Sequence, residues 1–218
     1  MTDDLLSYAA VVFSAVFFVV DPFAAVPLFL VMTKGDEPSK QRAMARRASI
    51  TVFIVLATAG FAGTYIFKLF GVTLPAFRIA GGILILLLAL DMVRAEPSAT
   101  RARPEETQEG VAKADIAIIP LAIPMLSGPG AIASVMVLWA EAKDWRYHAI
   151  IIAAIFATAV GSYLVLRATP LVERVLKQTG LNILTRLMGI VLCAIAVQFM
   201  VAGLGEMLPG LVGATLKP

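Results

Sequence analysis

Val20-Asp21-Pro22-Phe23-Ala24-Ala25-Val26-Pro27-Leu28-Phe29 lies inside a long apolar run, and about a hundred residues later Ile119-Pro120-Leu121-Ala122-Ile123-Pro124-Met125-Leu126-Ser127-Gly128-Pro129-Gly130 lies inside another. Both contain Pro-x-x-x-x-Pro, as Pro22 with Pro27 and as Pro124 with Pro129. Proline lacks an N–H, and its ring clashes with the carbonyl four residues back, so each pair predicts an interrupted helix. At membrane depth the freed backbone groups must face protein, water or a bound solute. Two such interruptions at corresponding places predict a solute site between two broken membrane helices.

The composition agrees with a membrane setting. Of 218 residues, 60% are hydrophobic, and the mean hydropathy is +0.89, whereas soluble domains carry about 45–50% apolar residues. Six spans are predicted, over 5–32, 48–70, 77–93, 114–140, 149–166 and 184–208. Each suits a hydrocarbon layer about 30 Å thick. The fold expected is therefore all-α and polytopic. The beginning, Met1-Thr2-Asp3-Asp4, lacks the basic region of a signal peptide and reads as the start of a retained first helix. Cys193, the single cysteine, falls in the sixth span, so neither a disulfide framework nor a cysteine metal site is expected. His148, the single histidine, falls near an interface; no clustered metal ligands, nucleophile motif or phosphate-binding Gly-x-x-x-x-Gly-Lys-Ser/Thr stretch occurs. These features argue against an enzyme, direct ATP hydrolysis or a resident cofactor.

Lysine and arginine set the orientation, because they are retained on the cytoplasmic side. Lys34, Lys40, Arg42, Arg46 and Arg47 follow the first span, residues 94–113 after the third add four more, and Arg167, Arg174, Lys177 and Arg186 follow the fifth. The opposite face receives Lys68, Arg78, Lys143, Arg146 and Lys217. Both termini are thus expected outside. Trp139, Trp145 and Tyr147 fall at the outer ends of spans four and five, where amphipathic rings favour the headgroup zone. The net charge of +3 is accounted for by topology and inner-leaflet contacts, and calls for no nucleic acid partner.

Residues 94–113 are mixed in charge and poor in apolar side chains, and read as a cytoplasmic linker between two three-span repeats, 1–93 and 114–218. The repeats share more than prolines. Ala59-Gly60-Phe61-Ala62-Gly63-Thr64-Tyr65 parallels Ala157-Thr158-Ala159-Val160-Gly161-Ser162-Tyr163, and Arg78-Ile79-Ala80-Gly81 parallels Arg186-Leu187-Met188-Gly189. An odd number of spans per half makes the repeat inverted. Small residues four apart, such as Ala59 with Gly63, let neighbouring helices approach closely. Residues 170–180 alternate apolar and charged positions at helical spacing and read as an interfacial helix.

Asp21 is the carboxylate placed deep in an apolar stretch, where an ionised group is costly unless paired or hydrated. Asp before Pro is also the signature of an N-cap followed by the first helical residue. Two roles therefore stand: capping a half-helix, and holding a proton, cation or ammonium. Ile123 occupies the matching place in the second half, where Ser127, Gly128, Pro129 and Gly130 instead permit an unwound turn with exposed amides. Pro22 and Pro27 border the first break as further site candidates, and Pro120, Pro124 and Pro129 free the carbonyls of Ile116, Pro120 and Met125 for a cation or ammonium, so opposed amides and carbonyls suit a zwitterion. Arg78 and Arg186 either snorkel to the interface or pair with Asp21 or a substrate carboxylate. Gln198 within span six is a further polar candidate.

The two proline stretches together resemble the paired signatures of the MarC family of bacterial and archaeal membrane proteins, over nearly the whole chain. The resemblance implies six spans, an inner-membrane location and, for some members, transport of small neutral amino acids. The function expected is a secondary transporter of such a solute through a midplane site, with coupling to a proton or sodium ion left open. A passive channel and a non-transporting structural or regulatory membrane protein are the alternatives. Lipid, the transported solute and a second copy of the chain are the partners expected.

Overall fold

The computed structural model describes residues 2–33, 35–94 and 117–208. Among these, regular structure is helical throughout: α1 Thr2–Val20, α2 Val26–Met32, α3 Pro38–Phe70, α4 Leu74–Arg94, the π-helical α5 Ala117–Leu126, α6 Pro129–Glu141, α7 Trp145–Arg167 and α8 Thr169–Met207. The predicted linker lies almost entirely outside the described residues, as do Lys34, Lys113 and Lys217.

Four helices are long and apolar enough to cross a membrane: α3, α4, α7 and the Thr179–Met207 part of α8. The first and fourth predicted spans are instead divided. Their longer apolar pieces, Leu5–Val20 and α6, are shorter than the other four, and α6, at 13 residues, reaches only about 20 Å at 1.5 Å per residue. The second predicted span also begins later than the helix that contains it, since α3 starts at Pro38 and carries Arg42, Arg46 and Arg47 in its first turns. Hydropathy marks the part of a helix in hydrocarbon, whereas backbone hydrogen bonding continues into the polar zone. The sixth behaves alike: α8 starts at Thr169, and Lys177, at φ 50° and ψ −177°, separates a short leading segment from the long apolar one. That short segment overlaps the first part of the predicted interfacial helix, 170–180, which the non-helical Lys177 divides.

The prolines act differently in the two halves. Pro22 lies in the turn after α1, and Pro27 sits in the first turn of α2, where a missing N–H costs nothing. Pro120 and Pro124 do not end a helix. They fall within α5, whose wide turns bond residues five apart, as in Ser127 N–H to the Ala122 carbonyl at 2.9 Å. The break comes afterwards, at Ser127 and extended Gly128, and α6 opens at Pro129.

Helix α6 is buried on every side, with Gly130, Ala131, Ala133, Ser134, Val135, Met136, Val137 and Leu138 all covered, so it forms the centre of the bundle. It fits because its neighbours offer small residues. A methyl at Gly81 of α4 would lie 3.1 Å from Ala133, and one at Gly63 of α3 would lie 2.9 Å from Met136. Helices α4 and α8 run antiparallel in close contact. Gly82 of α4 sits against Ala196 and Met200, while Gly189 of α8 sits against Ala89, Met92 and Val93. Lipid supplies no hydrophobic drive between helices, so this close approach supplies the van der Waals attraction that holds the pair.

Candidate functional site

The two breaks meet beside the centre of the bundle. Helix α1 ends where Asp21 N–H bonds to the Phe17 carbonyl at 2.9 Å and the Asp21 backbone turns to φ 46°. Few side chains tolerate that left-handed conformation, and aspartate is among those that do. Its Oδ1 then accepts from the Ala24 N–H at 3.3 Å. Asp21 thus closes the turn over residues 22–25, which is the capping role expected, but one turn early: the N-cap of α2 itself is Ala25, which makes no side-chain cap. The carboxylate is fully buried, at 0% exposure.

The start of α6 packs against α1 two residues before Asp21, at Val19. A methyl on Gly130 would lie 3.6 Å from Val19 Cγ1 and 3.5 Å from Ile85 Cγ1, so the first turn of α6 touches both the end of α1 and the middle of α4. Its N-cap, Gly128, has no side chain with which to close the first-turn amides. Ser127 is 2% exposed, and its Oγ has no hydrogen-bond partner among the described residues. Between the two breaks lies a crevice of about 10 Å³ bordered by Val19, Leu88, Met125, Gly128 and Gly130. That is room for about one water.

Asp21, Pro22, Ser127, Gly128 and Gly130 are therefore all buried around the two breaks, while Pro129 is exposed and Pro27 half-buried. The side chain of Pro124 falls outside what is described. The arginines lie elsewhere. Arg78 forms ion pairs with Glu141 and Glu206, joining the start of α4 to the ends of α6 and α8. Those two carboxylates stand at helix C-termini, which disfavour negative charge, and a shared guanidinium offsets that. Arg186 is exposed on α8. Two further buried hydroxyls, Ser49 and Thr158, lack hydrogen-bond partners among the described residues. Thr158 belongs to the small-residue stretch of span five, where its hydroxyl between Ala157 and Ala159 was the available signal; Ser49 had none stronger than its place at the start of an apolar run.

A model of the MarC family of integral membrane proteins matches residues 6–208. The chain belongs to the MarC family. Its relatives include a UPF0056 membrane protein of Methanocaldococcus jannaschii, 39% identical over 91% of this chain and 97% of the relative. YvbG, a UPF0056 membrane protein of Bacillus subtilis, is 36% identical over 94% and 98%, and YhcE of Escherichia coli is 35% identical over 91% and 93%. No solved structure matches. MarC membership and the four long apolar helices make this a multi-pass membrane protein.

Proposed function

We propose that this MarC protein is a secondary transporter of a small neutral amino acid, bound between the two helix breaks. The observation that carries the reading is the burial of Asp21 at the end of α1, two residues on from Val19, which lies against the open first turn of α6. Asp21 suits the ammonium group. The first-turn amides of α6, at the positive end of the helix dipole, suit the carboxylate, with the Ser127 hydroxyl as a further donor. A side chain as small as a hydrogen or methyl fits beside Val19, Leu88 and Met125 once the crevice opens.

Alternating access from an inverted six-span repeat is part of the same proposal. The reciprocal packing of α4 and α8 supports it, since Gly82 meets residues 196–200 while Gly189, one place from its counterpart in the other repeat, meets residues 89–93. A pair related by a two-fold axis in the membrane plane packs in this manner. The crevice of about 10 Å³ corresponds to a closed state, because even glycine requires more room. We also propose an inner-membrane location with the N-terminus outside. Support comes from Arg42 and Arg46 at the start of α3 and Arg167 at the end of α7, set against a ring of Tyr8, Tyr147, Trp139 and His148 at the other ends of the helices.

Counterflow in proteoliposomes tests the function. Internal unlabelled glycine or alanine should accelerate uptake of labelled solute in wild type. Uptake that saturates poorly and shows no acceleration would instead indicate a channel, and the absence of any flux would indicate a non-transporting role.

A further inference from the structure

The face shared by α3 and α7 carries a long apolar groove, separate from the helix breaks and from the Arg78 ion pairs. Towards the start of α3 the groove has a volume of about 460 Å³, with Arg46, Ser49 and Phe53 on one wall and Phe156, Val160 and Tyr163 on the other. Phe53 and Phe156 meet edge to face at 6.0 Å. Beyond them a second trough of about 670 Å³ continues towards Trp139, Trp145 and His148.

Two observations distinguish the Arg46 compartment from ordinary lipid-facing surface. Ser49 lines it, is 5% exposed, and has an Oγ without a hydrogen-bond partner among the described residues. A buried hydroxyl left in that condition carries an unrecovered desolvation cost, so a ligand oxygen that reaches it gains free energy by accepting from it. Arg46, one turn earlier on the same side of α3, is exposed at the mouth, and Tyr163 adds a phenol from the facing helix. Arg167, exposed one turn beyond Tyr163, extends the positive charge on that side. The slot is thus polar and cationic at one end and hydrocarbon-lined along its length. This polarity matches an anionic amphiphile. A free phosphate would gain nothing from the aromatic walls, and a neutral lipid nothing from the net cationic mouth.

We propose that this groove binds a bilayer phospholipid with an anionic headgroup. Arg46 holds the headgroup charge, Ser49 and Tyr163 donate to phosphate or ester oxygens, and an acyl chain lies against Phe53 and Phe156. Nothing in this assignment depends on the transport reading.

The test uses the full chain, purified and delipidated in detergent, with bound lipid counted by native mass spectrometry and thermal stability followed in parallel. The probes are phosphatidylglycerol, phosphatidylcholine with the same acyl chains, and glycerol 3-phosphate. Phosphatidylglycerol should bind about tenfold more tightly than phosphatidylcholine, the difference expected of one charge-assisted hydrogen bond. Glycerol 3-phosphate should not compete. R46Q should abolish the preference, Ile50→Trp should block lipid by filling the slot without altering charge, and R42Q, an exposed cation not on the groove wall, should leave binding unchanged. Equal binding of the two lipids, competition by glycerol 3-phosphate, or full retention in Ile50→Trp would overturn the proposal. So would a disulfide-linked dimer formed in native membranes by Ile50→Cys in a Cys193→Ser background, since a second copy would then occupy the groove.

Discussion

At φ 46° Asp21 performs two tasks with one side chain, since it accommodates the left-handed backbone that ends α1 and its Oδ1 receives the Ala24 amide. Asparagine shares both abilities but not the charge. Asp21→Asn should therefore fold and melt close to wild type while losing counterflow, and normal transport with unchanged pH and ion dependence would remove Asp21 from the solute site. Asp21→Ala, which forfeits the acceptor, should lose about 1 kcal/mol of stability as well, measured by thermal unfolding. Arg78 makes the complementary case. Arg78→Met leaves Glu141 and Glu206 facing each other at helix C-termini, and should destabilise the chain by about 1–3 kcal/mol. The double replacement E141Q/E206Q in that background should recover part of the loss. Asp21 was legible in the sequence because a carboxylate inside an apolar run stands out. The partners of Arg78 were not, because nothing local joins a residue at the start of α4 to carboxylates at the ends of α6 and α8.

Among the helices, the glycines of α4 and α8 set the interhelical distance. Gly82→Ala would place a methyl 2.6 Å from Met200 Cγ and 2.9 Å from the Ala196 carbonyl oxygen. The methionine can move aside, whereas the backbone oxygen cannot without shifting α8. A loss of about 1–3 kcal/mol is expected for Gly82→Ala, and a comparable one for Gly189→Ala, whose methyl would meet the Ala89 carbonyl oxygen at 3.0 Å. Thermal melts of both variants beside Gly35→Ala check this. Gly35, with nothing within 4 Å but φ +85°, should cost only the strain of a left-handed alanine. The small-residue pairs of α3 and α7 made close packing at Gly63 and Gly161 legible in advance, the paired prolines did the same for the two breaks, and the contacts of Gly82 and Gly189 between α4 and α8 carried no such spacing. The behaviour of Pro120 and Pro124 was not legible, because a helix can widen into bonds five residues apart and carry a proline that a regular α-helix would exclude. Hydropathy likewise understated α3 and α8, whose charged first turns are helical outside the hydrocarbon.

For the molecule as a whole, alternating access requires Ser127 to meet water from each side in turn. Ser127→Cys in a Cys193→Ser background should react slowly with a membrane-impermeant thiol reagent in the closed state, and the labelled side should change with saturating solute. Labelling that never depends on solute would count against an alternating mechanism. The crevice between the breaks has a second consequence, which is electrical. Two interrupted helices meeting inside a bilayer are an invitation to leak, and a cell membrane is useful only while it insulates. Val19, Leu88 and Met125 leave space for about one water there, and an isolated water has no neighbour to which it can pass a proton. On the membrane placement proposed above, the tight packing around α6 is the feature that would let a buried carboxylate and an uncapped helix start coexist with a standing ion gradient. Leu88→Ala, which opens that packing, should raise passive proton conductance of proteoliposomes even without solute, and an unchanged conductance would place the barrier elsewhere along the bundle.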